Sequence, residues 1–466
     1  MKAIIPAFDG NAKRAYYLQL YDYVKNALIS GDIMPDEKLP SLRRLAKSLG
    51  LSLTTVTLAY NQLSVEGYIY SKANSGFFAN DIAFVKPPEE FNSGPAGADF
   101  VEAALSKAPT PYQYDLSCFD FNKWKKCLNK ILTEYPHLLL TESDPQGERM
   151  LRYEISKYLY RSRGVAAGPS QIVIGAGTQQ ITGQLSLFLT RMSINHVTLE
   201  DPCYLPVKNI FRDRGFNLSS VAVSKNGIDI QKLPANIRSA VYVCPSNQFP
   251  TGAVTPIGRR YELLEWARRN DSIIIEDDYD SELRYFGKPI PALQGLDTND
   301  SVVYLGSFSS TLFPSIKISY MALPRRMAEI FQSFRNDYTQ TCSKAEQLTL
   351  ALFMEHGYYQ TNIRRLRSLY AQKLQVLSSC INKYARDFIT LVNTSSGINM
   401  IIKVNSAKTA GVLCGEAGGA GVFVAPVSIY TDEGSGSELS LILYYNQIPL
   451  ERIDGTVSEL VGKWRG

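Results

Sequence analysis

Five short stretches of this chain hold side chains able to do chemistry. Residues 276–282 read EDDYDSE, five carboxylic acids and Tyr279 within seven positions. Taken alone, such a run suggests a metal site or a solvated turn. Residues 174–180 read IGAGTQQ, and the exposed N–H groups of a helix start of this kind can hold a phosphate. A lone Gly-x-Gly is more often a tight turn. Residues 201–204 (DPCY) and 244–252 (CPSNQFPTG) place Tyr204 and Asn247 in two further turns. Finally, residues 304–324 (YLGSFSSTLFPSIKISYMALP) carry Ser307, Ser309, Ser310 and Lys317. A hydroxyl cannot condense with an aldehyde to form an imine, so Ser310 cannot supply a Schiff base.

Each stretch follows a strand-like run, at 171–174, 197–199, 241–244, 273–275 and 302–305. From about residue 112 to 466 these runs alternate with helical patterns. That alternation predicts an α/β fold with a largely parallel sheet. Sheets of this type place ligand sites just beyond their strand ends. Ahead of this region, residues 86–90 (KPPEE) and 92–97 (NSGPAG) break any periodic pattern, so residues 81–111 read as a linker.

The first 80 residues follow a different pattern. Leu18, Tyr21, Val24 and Leu28 lie at helical spacing. Ser41 can cap a second helix carrying Leu42, Leu45, Ala46 and Leu49, which Gly50 would end. Ser52 can cap a third with Val56, Ala59, Tyr60 and Leu63. Two short helices around a glycine turn make a helix-turn-helix, whose second helix can enter a DNA major groove. Residues 66–70 and 76–78 then read as two strands joined by a polar turn, a wing.

Bulk properties set looser limits. A chain of 466 residues suggests roughly two to four domains. Its net charge of +5 is too mild to indicate nucleic acid by itself, and residues 1–80 hold nine Lys/Arg against six Asp/Glu. No apolar run is long enough for a signal peptide or a membrane span, so the protein is expected to be cytoplasmic, with no membrane partner. Seven cysteines are scattered without a CxxC pair, and only three histidines occur. Buried free thiols are expected, and no metal site.

Residues 39–79 (LPSLRRLAKSLGLSLTTVTLAYNQLSVEGYIYSKANSGFFA) are similar to the winged helix-turn-helix of the GntR family. The resemblance implies DNA binding. Ser41, Arg43 and Arg44 would meet backbone and bases, Ser52, Thr54, Thr55, Thr57 and Tyr60 would line the recognition helix, and Ser75-Gly76 would form the wing tip. The family commonly has an arginine where this chain has Leu53, and a wing glycine where it has Asn74.

Residues 304–324 resemble the cofactor-lysine segment of fold-type I aminotransferases, which form a Schiff base with pyridoxal phosphate. Here the lysine position is Ser310. By the same resemblance, Gly177, Thr178 and Gln179 match the phosphate loop, and Tyr204 the aromatic that stacks on the pyridine ring. Asn247 falls in the loop near the phenolic oxygen, Asp277 would pair with the pyridine nitrogen, and Tyr279 would bond the phenolic oxygen. Ser307, Ser309 and Lys317 would grip the phosphate, with Lys317 in place of an arginine. Gln447 aligns with a carboxylate-binding arginine of the family.

A GntR-type winged helix joined to an aminotransferase-like domain resembles the MocR subfamily of transcription regulators, over nearly the whole chain. The implied layout is a DNA-binding domain at 1–80, a linker at 81–111 and an aminotransferase-like domain at 112–466, with a small subdomain from about 370. The implied function is a regulator of transcription that binds operator DNA as a domain-swapped homodimer. Its large domain would sense a small anionic effector or serve dimerisation, with no catalytic residue and with pyridoxal phosphate held non-covalently at most. The competing reading, an active aminotransferase with an appended DNA-binding module, needs an amine that Ser310 does not supply.

Overall fold

The computed structural model describes residues 14–73, 75–81, 110, 113–285, 291–392, 397–432 and 439–466. They fall into two compact units, Met1–Leu105 and Ser106–Gly466. Most of the expected linker, and Asn74, lie outside the described residues.

The first unit contains α1 (Tyr16–Ile29), α2 (Leu42–Leu49), α3 (Leu53–Val65) and the strands β1 (Ile69–Lys72) and β2 (Gly76–Ala79). Local chemistry sets the ends of its helices. Ser41 Oγ accepts the Arg44 N–H at 3.4 Å, and Ser52 Oγ accepts the Thr55 N–H at 3.1 Å. Between them Gly50 closes α2 in the left-handed region, at φ +64°, where a side chain would be strained. Leu20, Val24, Leu45, Val56, Ala59, Leu63 and Ile69 form the core that fixes the three helices and the wing together. The wing strands run antiparallel, pairing Ile69 with Ala79 and Lys72 with Gly76.

The second unit is built on an eight-stranded sheet. Its strands are β3 (Ile172–Ala176), β4 (His196–Asp201), β5 (Asn217–Ser224), β6 (Gly227–Ile228), β7 (Ala240–Val243), β8 (Ile273–Asp278), β9 (Val302–Ser307) and β10 (Ile318–Ala322). They lie in the order β3-β10-β9-β8-β7-β4-β5-β6. The pairs from β9 through β5 are parallel. Strand β10 runs antiparallel to both β9 and β3, which closes the loop carrying Ser307–Lys317 back onto the sheet.

Helices cover both faces of this sheet: α4 (Phe121–Glu134), α5 (Arg149–Arg163), α6 (Gly177–Arg191), α7 (Leu205–Asp213), α8 (Ile257–Arg269), α9 (Arg325–Phe334) and α10 (Lys344–Glu355). The strands therefore alternate between two buried faces rather than between core and solvent. Along β3, Ile172 and Ile174 enter one apolar cluster while Val173 enters the opposite one with Ile181, Leu185 and Phe188 of α6.

A long helix, α11 (Tyr358–Ala385), leads to a smaller layer with β11 (Ile389–Leu391), β12 (Asn399–Val404), α12 (Ala410–Gly419), β13 (Val424–Pro426), β14 (Ser440–Tyr444) and α13 (Ile453–Arg465). Helix α11 spans residue 370, and its Tyr370 and Leu374 pack in one apolar cluster with Met400, Leu413 and Leu443 of that layer. All seven cysteines are free thiols. No described helix is long and apolar enough to cross a membrane.

The start of the second unit is tied to the small layer by one buried ion pair. The Lys373 ammonium of α11 is fully buried, donates to Asp115 and reaches the Asn446 carbonyl at 3.1 Å. A buried carboxylate whose only cation is removed is costly, by about 3–5 kcal/mol. Lys373→Met should therefore destabilise the unit by that order in denaturant unfolding, and adding Asp115→Asn should recover most of the loss.

Candidate functional site

The chemistry-bearing residues collect at the C-terminal ends of the parallel strands. Asp277 and Asp278 end β8, and Tyr279 follows them. Ser307 ends β9, while Tyr204 follows β4 and immediately precedes α7. Gly177, Thr178 and Gln179 form the first turn of α6, which follows β3 without an intervening loop. Lys317 sits at φ +48°, a left-handed conformation unfavourable for a side chain, at the turn into β10. Gly177 likewise has φ +84° at the start of α6.

These ends enclose a cavity of about 380 Å³. Ten of the eleven residues expected at a cofactor site line it: Gly177, Thr178, Gln179, Tyr204, Asp277, Tyr279, Ser307, Ser309, Ser310 and Lys317. Asn247 is not among the lining residues. Its amide donates to both Asp280 carboxyl oxygens, at 2.9 and 2.8 Å, and lies 3.4 Å from the Tyr279 hydroxyl. It thus braces Tyr279 from behind the cavity wall. Gln447 does not line the cavity either; its Nε2 is buried without a partner among the described residues.

The wall also contains residues that the sequence reading missed. Cys244 and Phe249 belong to the 244–252 segment already singled out, but nothing in their spacing marked them. Tyr114, Asn399, Tyr430 and Tyr444 come from segments far away in sequence, and only the docking of the small layer brings them to the cavity. Phe249 meets Tyr204, Tyr279 and Tyr430 edge-on, at centroid distances of 6.0, 6.3 and 4.9 Å. An aromatic wall results.

One end of the cavity suits an anion. The N-cap of α6 is Ala176, which has no side chain to cap the helix, so the first-turn N–H groups face the cavity beside Ser307, Ser309 and Lys317. Ser307 is held by Ser319, whose hydroxyl donates to its Oγ at 3.0 Å. The Ser310 hydroxyl is committed elsewhere, donating to the Tyr279 carbonyl at 2.8 Å. Ser310 therefore serves as a brace between two loops.

The other end is acidic and dry. Asp277 is buried, receives a hydrogen bond from the Tyr242 hydroxyl, and has its carboxyl pushed up to about 7 by burial. Nearby Glu276 accepts the backbone N–H groups of Leu293 and Gln294 at 2.8 and 2.9 Å, and burial lifts it to about 7 as well. Glu200 accepts the Cys244 N–H at 3.0 Å and is raised by burial to about 8. Burial holds the Tyr279 phenol well above its ordinary value, so it stays protonated. Such a pair of ends fits pyridoxal phosphate: donors and an ammonium for the phosphate, a carboxyl for a ring nitrogen, and aromatic walls for the ring.

In the first unit, Ser41, Arg43, Arg44, Ser52, Thr54 and Ser75 are exposed, while Thr55, Thr57 and Gly76 are half-buried. The Thr55 hydroxyl lies 2.8 Å from that of Ser52, and the Thr57 hydroxyl donates to the Leu53 carbonyl at 2.8 Å. Tyr60 contradicts its expected place on the DNA-facing surface. It is fully buried, with its hydroxyl donating to the Pro40 carbonyl at 3.2 Å. Its position follows from the helical period, which sets it on the same face as Val56, Ala59 and Leu63.

Residues 16–79 match the gntR family of bacterial regulatory proteins, and residues 113–431 match aminotransferase class I and II. The chain is 39% identical over 434 residues to the "Uncharacterized HTH-type transcriptional regulator YdeL" of Bacillus subtilis (strain 168), covering 91% of this chain and 92% of that one. It is 30% identical over 441 residues to the "Probable rhizopine catabolism regulatory protein MocR" of Rhizobium meliloti, covering 90% and 88%. A similar solved structure is LysN, an alpha-aminoadipate aminotransferase from Thermus thermophilus. It has a TM-score of 0.66 and 22% identity, covering 81% of this chain and 97% of that one. At that identity the likeness establishes the fold.

The raised carboxyls have a stability consequence. In the folded protein Asp277 keeps its proton up to about pH 7, whereas an unfolded chain releases it near the ordinary 3.8. The folded form then binds more protons, so this group's contribution is full below about pH 4 and is lost as pH rises through 7. Glu276 and Glu200 act in the same direction. Between pH 5.5 and 8 the thermal midpoint should gain a downward slope from these groups, and Asp277→Asn should make that slope shallower. Parallel melting curves for the two proteins would contradict the assignment.

Proposed function

Because the chain belongs to the MocR-type family of helix-turn-helix transcription regulators, we propose that it controls transcription by binding operator DNA, with an aminotransferase-like domain that senses a ligand without turning it over. One observation carries this reading. Ser310, which by resemblance would stand where the family has its cofactor lysine, is a hydroxyl tied to the Tyr279 carbonyl and lines a cavity with one end suited to an anion and the other acidic.

The proposed layout is a DNA-binding domain at 1–80, a linker at 81–111 and an effector domain at 112–466, acting as a domain-swapped homodimer. Ser41, Arg43, Arg44, Ser75 and Gly76 would meet the DNA backbone, and Ser52, Thr54, Thr55 and Thr57 would border the bases. In the effector domain, reversible binding of pyridoxal phosphate accounts best for the cavity. When bound, that ligand would supply an aldehyde, a ring nitrogen and a phosphate dianion. The α6 N-terminus, Ser307, Ser309 and Lys317 would hold the phosphate, and Asp277 would face the ring nitrogen. Tyr204 would stack on the ring and Tyr279 would bond its phenolic oxygen. No amine at position 310 attaches it.

Titration of the full-length protein with pyridoxal phosphate should give saturable binding that gel filtration reverses and borohydride does not make permanent. Lys317→Ala should weaken it about tenfold or more, whereas Ser310→Lys should retain the cofactor after reduction. A covalent adduct at Lys317, or amino-group transfer by the unmodified chain, would refute non-covalent sensing.

In gel shifts with DNA flanking its own gene, Arg43→Ala and Arg44→Ala should weaken binding on all sequences. Each should also lower the salt slope by about one.

A further inference from the structure

The recognition helix of this module is unusual in what it lacks. Helix α3, LTTVTLAYNQLSV, contains no charged side chain. Val56, Ala59, Tyr60 and Leu63 point into the core, whereas Leu53 and Leu58 are 46% and 47% exposed in the N-terminal half. That half is the part of a helix-turn-helix that meets base edges. Its polar atoms are largely committed already: the Thr55 hydroxyl to Ser52, and the Thr57 hydroxyl to the Leu53 carbonyl. What the surface offers a groove is chiefly methyl groups, with Thr54 and Asn61 beside them.

The elements before and after α3 in the chain expose positive charge. Arg43, Arg44 and Lys47 are exposed on α2, and Lys72 is exposed on the wing. Basic side chains on α2 and on the wing, the two elements of a helix-turn-helix module that meet phosphates beside its recognition helix, suit a nucleic-acid backbone. Within the major groove the only apolar feature that varies with sequence is the thymine C5-methyl group. Leucine has no donor or acceptor with which to read a guanine or adenine edge.

Resting on the DNA-binding reading above, we propose that Leu53 and Leu58 specify the operator by packing against thymine methyl groups in the major groove. The α2 arginines supply affinity without sequence information. Selectivity comes from apolar contact rather than from bidentate hydrogen bonds.

Replacing thymine by uracil tests this without altering charge, pairing or any major-groove donor or acceptor. The full-length protein is used to enrich binders from a pool of random-sequence duplexes. Enriched duplexes are then remade with deoxyuridine in place of thymidine, and both forms are titrated. Loss of each contacted methyl should weaken binding about fourfold, given the usual value of one buried carbon. The salt slope should stay the same. In Leu53→Ala and Leu58→Ala variants, checked for an unchanged thermal midpoint, the thymine-to-uracil ratio should fall toward one.

Equal affinity for the two forms would overturn the proposal. So would variants that keep the full ratio, or that change the sedimenting mass and leave the ratio intact, since the leucines would then face a second copy. Failure to enrich any duplex would instead overturn the DNA-binding reading itself.

Discussion

Three consecutive carboxyls, Glu276, Asp277 and Asp278, are buried at the end of β8, and the surrounding structure is organised by the need to accommodate them. An unpartnered buried carboxylate is strongly unfavourable, so each must be neutralised, bonded or paired. Asp278 is paired: the Arg163 guanidinium donates at 2.8 Å and the Tyr304 hydroxyl at 2.6 Å. Glu276 takes two backbone N–H groups from the turn before β9. Asp277 receives the Tyr242 hydroxyl and otherwise faces the cavity. Of the three, it is the one left in position to meet a ligand.

This arrangement ties the sheet to its cavity. Arg163 ends α5, Tyr304 comes from β9 and Tyr242 from β7, so pairing the acids fixes three elements against β8. Beyond the acids, Tyr279 is held at its carbonyl by Ser310 and near its hydroxyl by Asn247. Both bonds hold Tyr279 in the wall. The serine can play this part because its short side chain ends at the neighbouring loop, whereas a long flexible amine would extend into the cavity.

The two units answer opposite physical problems. The small one must hold together with a core of few residues, and it turns Tyr60 inward as a large core side chain tied to the Pro40 carbonyl just before α2. The large one must exclude water from acids and aromatics, which takes two covered sheet faces and a second layer docked over the strand ends.

Much of this was legible in the sequence, because local chemistry and short periods suffice for it. Ser41, Gly50 and Ser52 mark the helix ends, Val56, Ala59, Tyr60 and Leu63 mark a buried face, and the motif after each parallel strand necessarily reaches the same edge of the sheet. The ten cavity residues themselves were named through the resemblance of those motifs to an aminotransferase cofactor site. What the sequence could not reveal was which side of a wall a residue faces. Asn247 is one such residue: Asp280, a partner that no local pattern marks, claims its amide. Tyr114, Tyr430 and Tyr444 carry no local signal, because they reach the cavity only when the small layer docks. Residue type and spacing determined the inventory of groups; tertiary packing decided their orientation and partners, since burial and hydrogen bonding depend on neighbours that are distant in the chain.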